Sequence, residues 1–327
     1  MSPVRALITG AAGQDGTILS TMLSRQDARI TGLIKPGTDY QRLARYVPNI
    51  DVIEVDLSDT QTLREVVRDT APTHIWNFGG FTAPGESWSH EEEVQRINVD
   101  AVQALLSCAI ELKEPARVFQ ASSSHIFEGT DRSPQHENFE LTPHSPYARS
   151  KSEALRLVRE YRDKKQLFAV SGILYNHESP LRGVNFVTRK VSMAVARIAS
   201  GQQEVLELGD IEVARDWGWA PDYVRAMVMM LQADRPRDFA LATGISHRLS
   251  FFVQKAFAAA GITDWRDRVI TAPSDRPVDT NKMVGDSRAA YLELGWRHTV
   301  DFDSIAERMV QHDIELLHDP TALWLDF

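Results

Sequence analysis

Residues 4–16 read VRALITGAAGQDG and decide the fold. The first six predict a short buried strand, and three glycines follow at three-residue spacing. Gly10 permits a tight turn, Gly13 lets backbone N–H groups approach a pyrophosphate, and Gly16 allows a helix to pack closely on the strand. The positive end of that helix favours a phosphate. We therefore predict a dinucleotide-binding loop rather than a glycine-rich turn without a ligand. The loop residues that we expect to contact the cofactor are Gly10, Gly13, Gln14, Asp15 and Gly16.

Two periodicities alternate along the first half of the chain. Near-continuous apolar runs predict strands at residues 4–9, 29–34, 51–55, 73–78, 117–121 and 167–174. Amphipathic patterns between them predict helices at about 15–24, 63–67, 91–112 and 146–164. Strands that are apolar on both faces and separated by helices form a parallel sheet covered on both sides. The sequence therefore predicts a doubly wound α/β domain of the Rossmann type.

The pattern becomes less regular after residue 174. Further helical patterns lie at residues 186–200, 222–233, 250–260 and 305–317 and predict a smaller C-terminal α/β region. We expect residues 1–175 to form the dinucleotide-binding domain, with residues 207–245 contributing part of it, and residues 176–327 to bind mainly the substrate. No repeat or composition break separates the two parts, which favours one compact unit.

Charge and composition exclude several classes of function. Lys and Arg number 36 against 45 Asp and Glu, and the net charge of −9 argues against nucleic acid or an anionic membrane as a partner. No apolar run approaches the roughly 18 to 20 residues of a membrane helix, and residues 1–4 lack the start of a signal peptide. Cys108 is the only cysteine, and the histidines show no metal-ligand spacing. We expect a cytoplasmic protein without a metal site.

The residue at the end of the second strand indicates whether a dinucleotide-binding domain prefers NAD or NADP. An acidic residue there binds an unphosphorylated ribose, but this chain has Lys35, with Arg42 and Arg45 nearby and no carboxylate until Asp39. A cation attracts a 2′-phosphate, whereas an acid repels it. We therefore predict NADP rather than NAD as the cofactor; the alternative is that Lys35 is a solvated residue at the end of a strand.

The candidate catalytic group combines a helix and a strand end. Tyr147 and Lys151 lie four residues apart on one helix face, and Ser122, Ser123 and Ser124 end the fifth strand. A neighbouring ammonium is expected to lower the tyrosine pKa from about 10. The pair can then exchange a proton with a sugar hydroxyl while a hydride moves to nicotinamide. A serine at a strand end points into the crevice where doubly wound folds bind ligands.

These motifs resemble the extended short-chain dehydrogenase/reductases that act on nucleotide sugars, and within them the GDP-mannose 4,6-dehydratases. The similarity covers nearly the whole chain. The segments that carry it are GQDG (13–16), QASSS (120–124), SPYA (145–148), GILYNHESP (172–180), RG (182–183), FVTRK (186–190), RDWG (215–218), DYV (222–224), RP (276–277) and GD (285–286).

The resemblance implies a role for each matching residue. It implies that Tyr147 is the base for oxidation at sugar C4, that Lys151 also binds the nicotinamide ribose, and that Ser123 hydrogen-bonds the C4 oxygen. The residues expected in the remaining sites are Asp56 and Leu57 for the cofactor, and Ser87, Asn176, Arg182, Lys190, Arg215 and Arg276 for the GDP-sugar. A homodimer or homotetramer is also implied, with apolar helix faces around residues 99–106 and 154–158 as candidate contacts.

One residue departs from the family pattern. The dehydratases place a glutamate two residues after the residue at 123, and this chain has His125. An imidazole, with an ordinary pKa of about 6.5, can accept the C5 proton and later protonate the leaving hydroxyl. Two enzyme functions therefore stay open: NADP-dependent 4,6-dehydration of GDP-mannose or a related GDP-hexose, and C4 oxidation or epimerisation without loss of water. A cofactor-sensing regulator is disfavoured because Tyr147 and Lys151 are both present.

Overall fold

A computed structural model describes residues 3–272 and 283–324 of the chain. The strands are β1 (Arg5–Thr9), β2 (Arg29–Ile34), β3 (Asp51–Glu54), β4 (His74–Asn77), β5 (Arg117–Ser123), β6 (Ala169–Leu174), β7 (Asn176–Glu178), β8 (Leu206–Leu208), β9 (Ala214–Trp219), β10 (Phe239–Leu241), β11 (Ser246–Arg248) and β12 (Val269–Thr271).

Helices connect most of these strands. They are α1 (Gln14–Ser24), α2 (Gln41–Tyr46), α3 (Thr60–Thr70), α4 (Glu91–Gln95), α5 (Ala101–Glu111), α6 (Pro146–Lys165), α7 (Val187–Ala199), α8 (Ala220–Gln232), α9 (Leu249–Ala259), α10 (Arg288–Leu294) and α11 (Phe302–His318). Single 3₁₀ turns lie at Ser87–Ser89, Ser124–Phe127 and Trp265–Arg268, and a π-helical turn lies at Arg96–Asp100. Among the described residues, no helix is both long and apolar enough to cross a bilayer.

Seven strands form the main sheet in the order β10-β6-β5-β4-β1-β2-β3, and every pairing in it is parallel. The predicted doubly wound α/β architecture is therefore confirmed. The chain runs outward from β1 in one direction through β2 and β3, and in the other through β4, β5 and β6. The crevice between β1 and β4, where the direction changes, is where such sheets bind ligands.

Alternation along the strands produces a core on each face of the sheet. Leu7 and Ile75 pack with α3, α5 and α6, whereas Ile8 and Trp76, one residue later on the same strands, pack with α1 and α8. Successive side chains of a strand point to opposite faces, so both faces need apolar residues. This requirement explains the near-continuous apolar runs in the sequence.

The remaining strands build the smaller region beside the carboxyl ends of the main sheet. Strand β9 pairs with β7 in parallel and with β11 antiparallel, and β8 pairs with β12. Trp217 stacks on Phe302, and Trp219 packs edge-to-face on Trp324. Both tryptophans are buried, and they connect this region to the helices around it.

Two of the differences from the sequence prediction affect the main sheet and the helices that cover it. The structure adds β10, which lies within residues 207–245 and pairs with β6 at the edge of the main sheet. The helix predicted over 91–112 is interrupted by the π-helical turn at Arg96–Asp100. The side chain of Asn98 in this turn is buried and bonds Phe81 and Ser150. A π-turn inserts one extra residue into a helix and re-aims its side chains.

The apolar helix faces expected to contact a second subunit are used within the chain. Val102, Leu105 and Leu106 of α5 and Ala154 and Val158 of α6 are buried in the core between these helices, α3 and the sheet. The expectation that these faces are free for a partner is therefore wrong. Apolar stripes at helical spacing have the same pattern whether they cover a sheet or another subunit.

Asp238 secures the edge strand and provides a test of the packing. Its buried carboxylate accepts hydrogen bonds from Arg159 Nε (2.9 Å), Arg162 Nη1 (2.7 Å) and the backbone N of Ser171 (2.8 Å). We expect Asp238→Ala to lower the free energy of unfolding by about 3–5 kcal/mol, because it removes the buried partner of the largely buried Arg162 and leaves it only the exposed Asp163. Urea unfolding measures this loss. Asp234→Ala removes an exposed carboxylate four residues earlier and should change stability by less than about 0.5 kcal/mol; equal effects of the two changes would contradict the interpretation.

Candidate active site

A cleft of about 680 Å³ opens at the carboxyl ends of β1, β2, β3 and β4. It lies at the change of strand direction, where the sequence predicted the cofactor. All eight residues expected there on cofactor grounds alone line it: Gly10, Gly13, Gln14, Asp15, Gly16, Lys35, Asp56 and Leu57. The sequence prediction thus identified residues that the fold brings together from three separate loops, after β1, β2 and β3.

The loop after β1 has no room for a side chain at Gly10 or at Gly16. Gly10 has φ of +65°, and a Cβ on it would lie 2.9 Å from the backbone N of Gly79. A Cβ on Gly16 would lie 2.5 Å from the carbonyl O of Gly10. Helix α1 begins directly behind this loop, and Gly13 at its N-cap provides no side chain to bond the first amides. The first N–H groups of α1 are therefore available to a phosphate, as a dinucleotide requires.

Gln14 and Asp15 line the cleft but bond a distant segment of the chain. The Gln14 amide donates to the carbonyl O of His177 (3.0 Å) and accepts from the Ser179 hydroxyl (2.8 Å). The Asp15 carboxylate lies 3.0 Å from His177 Nε2. Burial acts to raise the Asp15 pKa, but His177 and Arg182 hold it below its ordinary value. Their sequence position marked these two residues as cofactor contacts, and the structure gives them a second role in joining the loop to residues 177–179.

The far end of the cleft is positively charged. Lys35, Thr38 and Arg42 line it, and Arg42 Nη2 is fixed by donating to the carbonyl O of Ala12 (3.0 Å). Arg45 instead donates to the carbonyl O of Pro320. Asp56 also lines the cleft, and its carboxylate accepts from the N–H and hydroxyl of Ser58. Two cations and a hydroxyl group thus stand where a 2′-phosphate is expected.

Ser123, Tyr147 and Lys151 meet beside this cleft. Ser145 caps α6 by accepting from the Ala148 N–H, with Pro146 at the first helical position, so Tyr147 lies in the first turn. Its hydroxyl is hydrogen-bonded to Ser123 at the end of β5. The Lys151 amine donates to the carbonyl O of Ala121 (3.1 Å) and lies 5.9 Å from the centre of the Tyr147 ring.

Gly80 connects this group to the cleft. It lines the cleft, and a Cβ on it would lie 3.4 Å from Lys151 Nζ and 2.9 Å from Asn98 Oδ1. Asn98 is a residue that the sequence analysis missed. It holds the loop at Phe81 through two hydrogen bonds and bonds Ser150, the neighbour of Lys151 in the chain. The polar residue within an otherwise apolar helical stripe was the available signal.

The ionisation of the pair differs from expectation. Burial raises the pKa of Tyr147, although the Ser123 hydrogen bond and Arg182 act to lower it. Burial also lowers the pKa of the Lys151 amine to about 8. The predicted lowering of the tyrosine pKa by a neighbouring ammonium is therefore wrong for the protein alone. Desolvation disfavours the charged form of each group and is the largest cause of both shifts.

His125 lies beside Tyr147 and has a partner that sequence reasoning missed. The two rings pack edge-to-face, with their centres 5.6 Å apart. His125 Nδ1 lies 3.1 Å from Glu128 Oε2. Burial acts to raise the Glu128 pKa, but hydrogen bonds from His125 and Ser145 lower it to about 2. Glu128 follows His125 by three residues, a spacing that brings two residues together in a helical turn and was the overlooked signal.

The residues expected to bind substrate lie at different depths. Arg182 lines the cleft, with its guanidinium 3.6 Å from the centre of the Phe186 ring and 3.2 Å from Glu178. Ser87 is buried, and its hydroxyl donates to the carbonyl O of Pro84 (2.6 Å), so it braces its own loop.

The other expected substrate residues lie outside the lining of the cleft. Asn176 begins β7 and is half-buried, Lys190 is exposed on α7, and half-buried Arg215 in β9 donates to the carbonyl O of Ala214. Arg276 falls outside the described residues. Within the described ranges, no group of three or more His, Cys, Asp or Glu could hold a metal ion.

Known proteins are similar to this chain in sequence and in fold. Residues 7–309 match the family described as GDP-mannose 4,6 dehydratase. GDP-mannose 4,6 dehydratase 1 of Arabidopsis thaliana is 37% identical over 330 residues, which cover 95% of this chain and 90% of the relative. The dTDP-glucose 4,6-dehydratase DesIV of Streptomyces venezuelae, solved with NAD and TYD bound, has a TM-score of 0.83 at 22% identity, with 97% of this chain and 100% of that chain covered. RMD from Pseudomonas aeruginosa, complexed with NADPH, has a TM-score of 0.78 at 18% identity, covering 95% and 99%.

The lowered pKa of Lys151 has a consequence for stability. The unfolded chain keeps this proton up to a pKa of about 10.4, whereas the folded chain releases it near pH 8. The unfolded state therefore binds more protons between these values, and the Lys151 contribution makes stability rise with pH. We expect the free energy of unfolding of wild type, relative to Lys151→Met, to increase by up to about 2 kcal/mol from about pH 7 to about pH 9.5. Urea unfolding of both proteins measures it, and parallel pH profiles would contradict the burial effect.

Proposed function

The chain belongs to the GDP-mannose 4,6-dehydratase family, and we propose that it converts GDP-mannose or a related GDP-hexose to the GDP-4-keto-6-deoxy sugar. The observation that carries the proposal is the group of Ser123, Tyr147 and Lys151 at the inner end of a dinucleotide cleft. The relative from Arabidopsis thaliana is named for this reaction.

The cofactor we propose is NADP. The glycine loop has the close backbone and free amides that a pyrophosphate needs, and Lys35, Thr38 and Arg42 suit a 2′-phosphate. When bound, the nicotinamide supplies the acceptor for the hydride from C4 and its later return to C6. We assign Lys151 to the nicotinamide ribose, and its position beside Gly80 in the cleft wall supports this assignment.

Tyr147 and Ser123 handle the proton of the C4 hydroxyl. Ser123 is hydrogen-bonded to the Tyr147 hydroxyl, so both oxygens can meet the same substrate oxygen. Burial keeps Tyr147 protonated in the protein alone, and its work as a base depends on cations. Arg182 acts in that direction already, and a protonated Lys151 adds to it.

His125 handles the C5 proton. Oxidation at C4 makes that proton acidic, and the imidazole accepts it and then protonates the hydroxyl that leaves C6 as water. The edge-to-face contact between the His125 and Tyr147 rings, 5.6 Å between centres, supports this role. The competing function is oxidation or inversion at C4 without loss of water, a reaction in which His125 takes no proton from C5.

The GDP portion is assigned to the cationic loops of the smaller region. Arg182 lines the cleft and suits a diphosphate, and Asn176, Lys190 and Arg215 offer further cationic and amide groups for the same substrate. Ser87 and Arg276 complete the predicted set. Assembly as a homodimer or homotetramer stays a prediction that sedimentation equilibrium tests.

Product analysis in D₂O tests the proposed reaction. We expect GDP-mannose to give a 4-keto-6-deoxy product with deuterium at C5, because the C5 proton is removed and replaced from solvent. Tyr147→Phe should lower turnover by about 10²- to 10⁴-fold, the usual contribution of a general base. Nuclear magnetic resonance of the product identifies both features. A product with an intact C6 hydroxymethyl group and an oxidised or inverted C4 would contradict dehydration. It would support C4 oxidation or epimerisation without loss of water.

Cofactor titration tests the assignment of NADP. We expect Lys35→Glu to weaken NADP⁺ binding by about 10- to 100-fold, because it loses a charge-assisted contact and adds a repulsion. NAD⁺ binding should be unchanged or tighter. Isothermal titration calorimetry measures both constants. Lys113→Glu makes the same charge change at an exposed site after α5 and should affect neither; an equal effect at both positions would refute a 2′-phosphate contact.

A further inference from the structure

Glu128 is a half-buried residue whose carboxylate is hydrogen-bonded to His125, His144 and Ser145. Its Oε2 lies 3.1 Å from His125 Nδ1, and its Oε1 accepts from the backbone N of His144 (2.9 Å) and of Ser145 (2.5 Å). Only 18% of its side chain is exposed, against 28% for His125. The carboxylate therefore connects His125 to the start of α6, the helix that carries Tyr147.

The anchoring of Glu128 gives it a fixed charge and a fixed position. Backbone amides at the N-terminus of a helix stabilise a carboxylate, and Ser145 is the N-cap of α6. The Glu128 pKa of about 2 keeps it ionised at any pH at which an imidazole works. Because Oε1 is occupied by the two amides, Oε2 is the atom directed at His125.

This geometry specifies one form of the imidazole. An ionised carboxylate only accepts hydrogen bonds, so Nδ1 must carry the proton. The neutral ring then has its lone pair at Nε2, which is hydrogen-bonded to none of the described residues. A base needs this arrangement, because the nitrogen that faces the substrate must be free of a proton.

We propose that Glu128 is a positioning residue that holds His125 with Nδ1 protonated and Nε2 free, so that a histidine–glutamate pair replaces the single glutamate of the family. The inference rests on the dehydration proposed above. Tyr147 contacts the His125 ring. Residues 144–145, which anchor Glu128, directly precede α6, the helix that carries Tyr147.

The pair accounts for each proton of the elimination. His125 Nε2 takes the C5 proton of the 4-keto sugar, and the electrons of the C–H bond form the C5–C6 double bond as the C6–O bond breaks. The imidazolium returns that proton to the departing hydroxide, so water leaves and His125 is neutral again. Glu128 stays ionised throughout and offsets the transient positive charge, as the carboxylate of a catalytic triad does.

A purely structural role for Glu128 predicts different behaviour. As a cap for residues 144 and 145, it would affect the folding and the position of Tyr147, and thus the oxidation at C4. Glu128→Gln separates the two roles. The glutamine carbonyl can still accept from the two amides, but its NH₂ group then faces Nδ1 and donates to it. The proton of the neutral ring moves to Nε2, where it blocks the base.

The first test uses the protein without ligands. We expect ¹⁵N resonance patterns of the imidazole to show His125 protonated at Nδ1 in wild type and at Nε2 in Glu128→Gln. Glu140→Gln is the matched control, because that exposed carboxylate forms an ion pair with the exposed Arg132 and does not contact His125. The control should leave the His125 pattern unchanged. The same tautomer in wild type and Glu128→Gln would overturn the proposal, whatever reaction the protein catalyses.

The second test separates the steps of turnover. We expect Glu128→Gln to slow loss of water and deuterium entry at C5 by about 100-fold. Formation of the 4-keto sugar in a single turnover, followed by the absorbance of the reduced nicotinamide, should change by less than about threefold. Equal slowing of both steps would mean that Glu128 acts only as a cap for α6.

The third test uses the conservative variant at the base itself. A carboxylate at 125 has no tautomer to fix, so Glu128→Gln should cost less than about threefold when combined with His125→Glu, against about 100-fold with histidine present. The same cost in both backgrounds would overturn the proposal. If wild type fails to dehydrate any GDP-hexose, the proposed function falls, whereas the tautomer measurement still decides the pairing.

Discussion

A buried ion pair between Asp15 and His177 joins parts of the chain that are 162 residues apart. Burial acts against both charges, but their mutual attraction holds the pKa of Asp15 below its ordinary value and that of His177 above it. Gln14 reinforces the link through His177 and Ser179. The segment that carries Arg182 is thereby held against the phosphate loop. The cleft depends on this contact, because one wall contains residues 10–16 and another contains residues 181–186. Removing either partner leaves the other buried without it, which is costly.

Sequence periodicity predicted the central elements closely and the peripheral ones poorly. Strand β2 occupies residues 29–34 as expected, because a strand buried on both faces must be apolar throughout. Strand β10 has only three residues and was missed, since its place in the sheet depends on Asp238 bonding α6 and β6. The break in the helix over 91–112 depends likewise on the distant partners of Asn98. Contacts remote in sequence leave no local pattern.

The site was predictable where it depends on backbone and only partly where it depends on side chains. The glycines and Lys35 line one cleft because strand ends in a parallel sheet share an edge. The ionisation of Tyr147 was not predictable from its spacing to Lys151, because the helical spacing indicates proximity but says nothing of burial. Glu128 shows the same limit. Its distance from His125 along the chain allowed a contact, but its function as a partner depends on the amides of residues 144 and 145.

An imidazole suits this pocket for an electrostatic reason. Burial raises the Tyr147 pKa, and the negative charge of Glu128 already adds to that effect. A carboxylate at 125, in direct contact with the Tyr147 ring, would add a second anion nearer to the phenol and oppose its ionisation further. With histidine, the atom that accepts the proton is neutral, and the balancing charge lies on Glu128, on the other side of the imidazole, where the amides of residues 144 and 145 stabilise it. A base needs a lone pair near the substrate and a counter-charge for the proton that it accepts. A single glutamate must supply both with one carboxylate, whereas here His125 supplies the lone pair and Glu128 the charge.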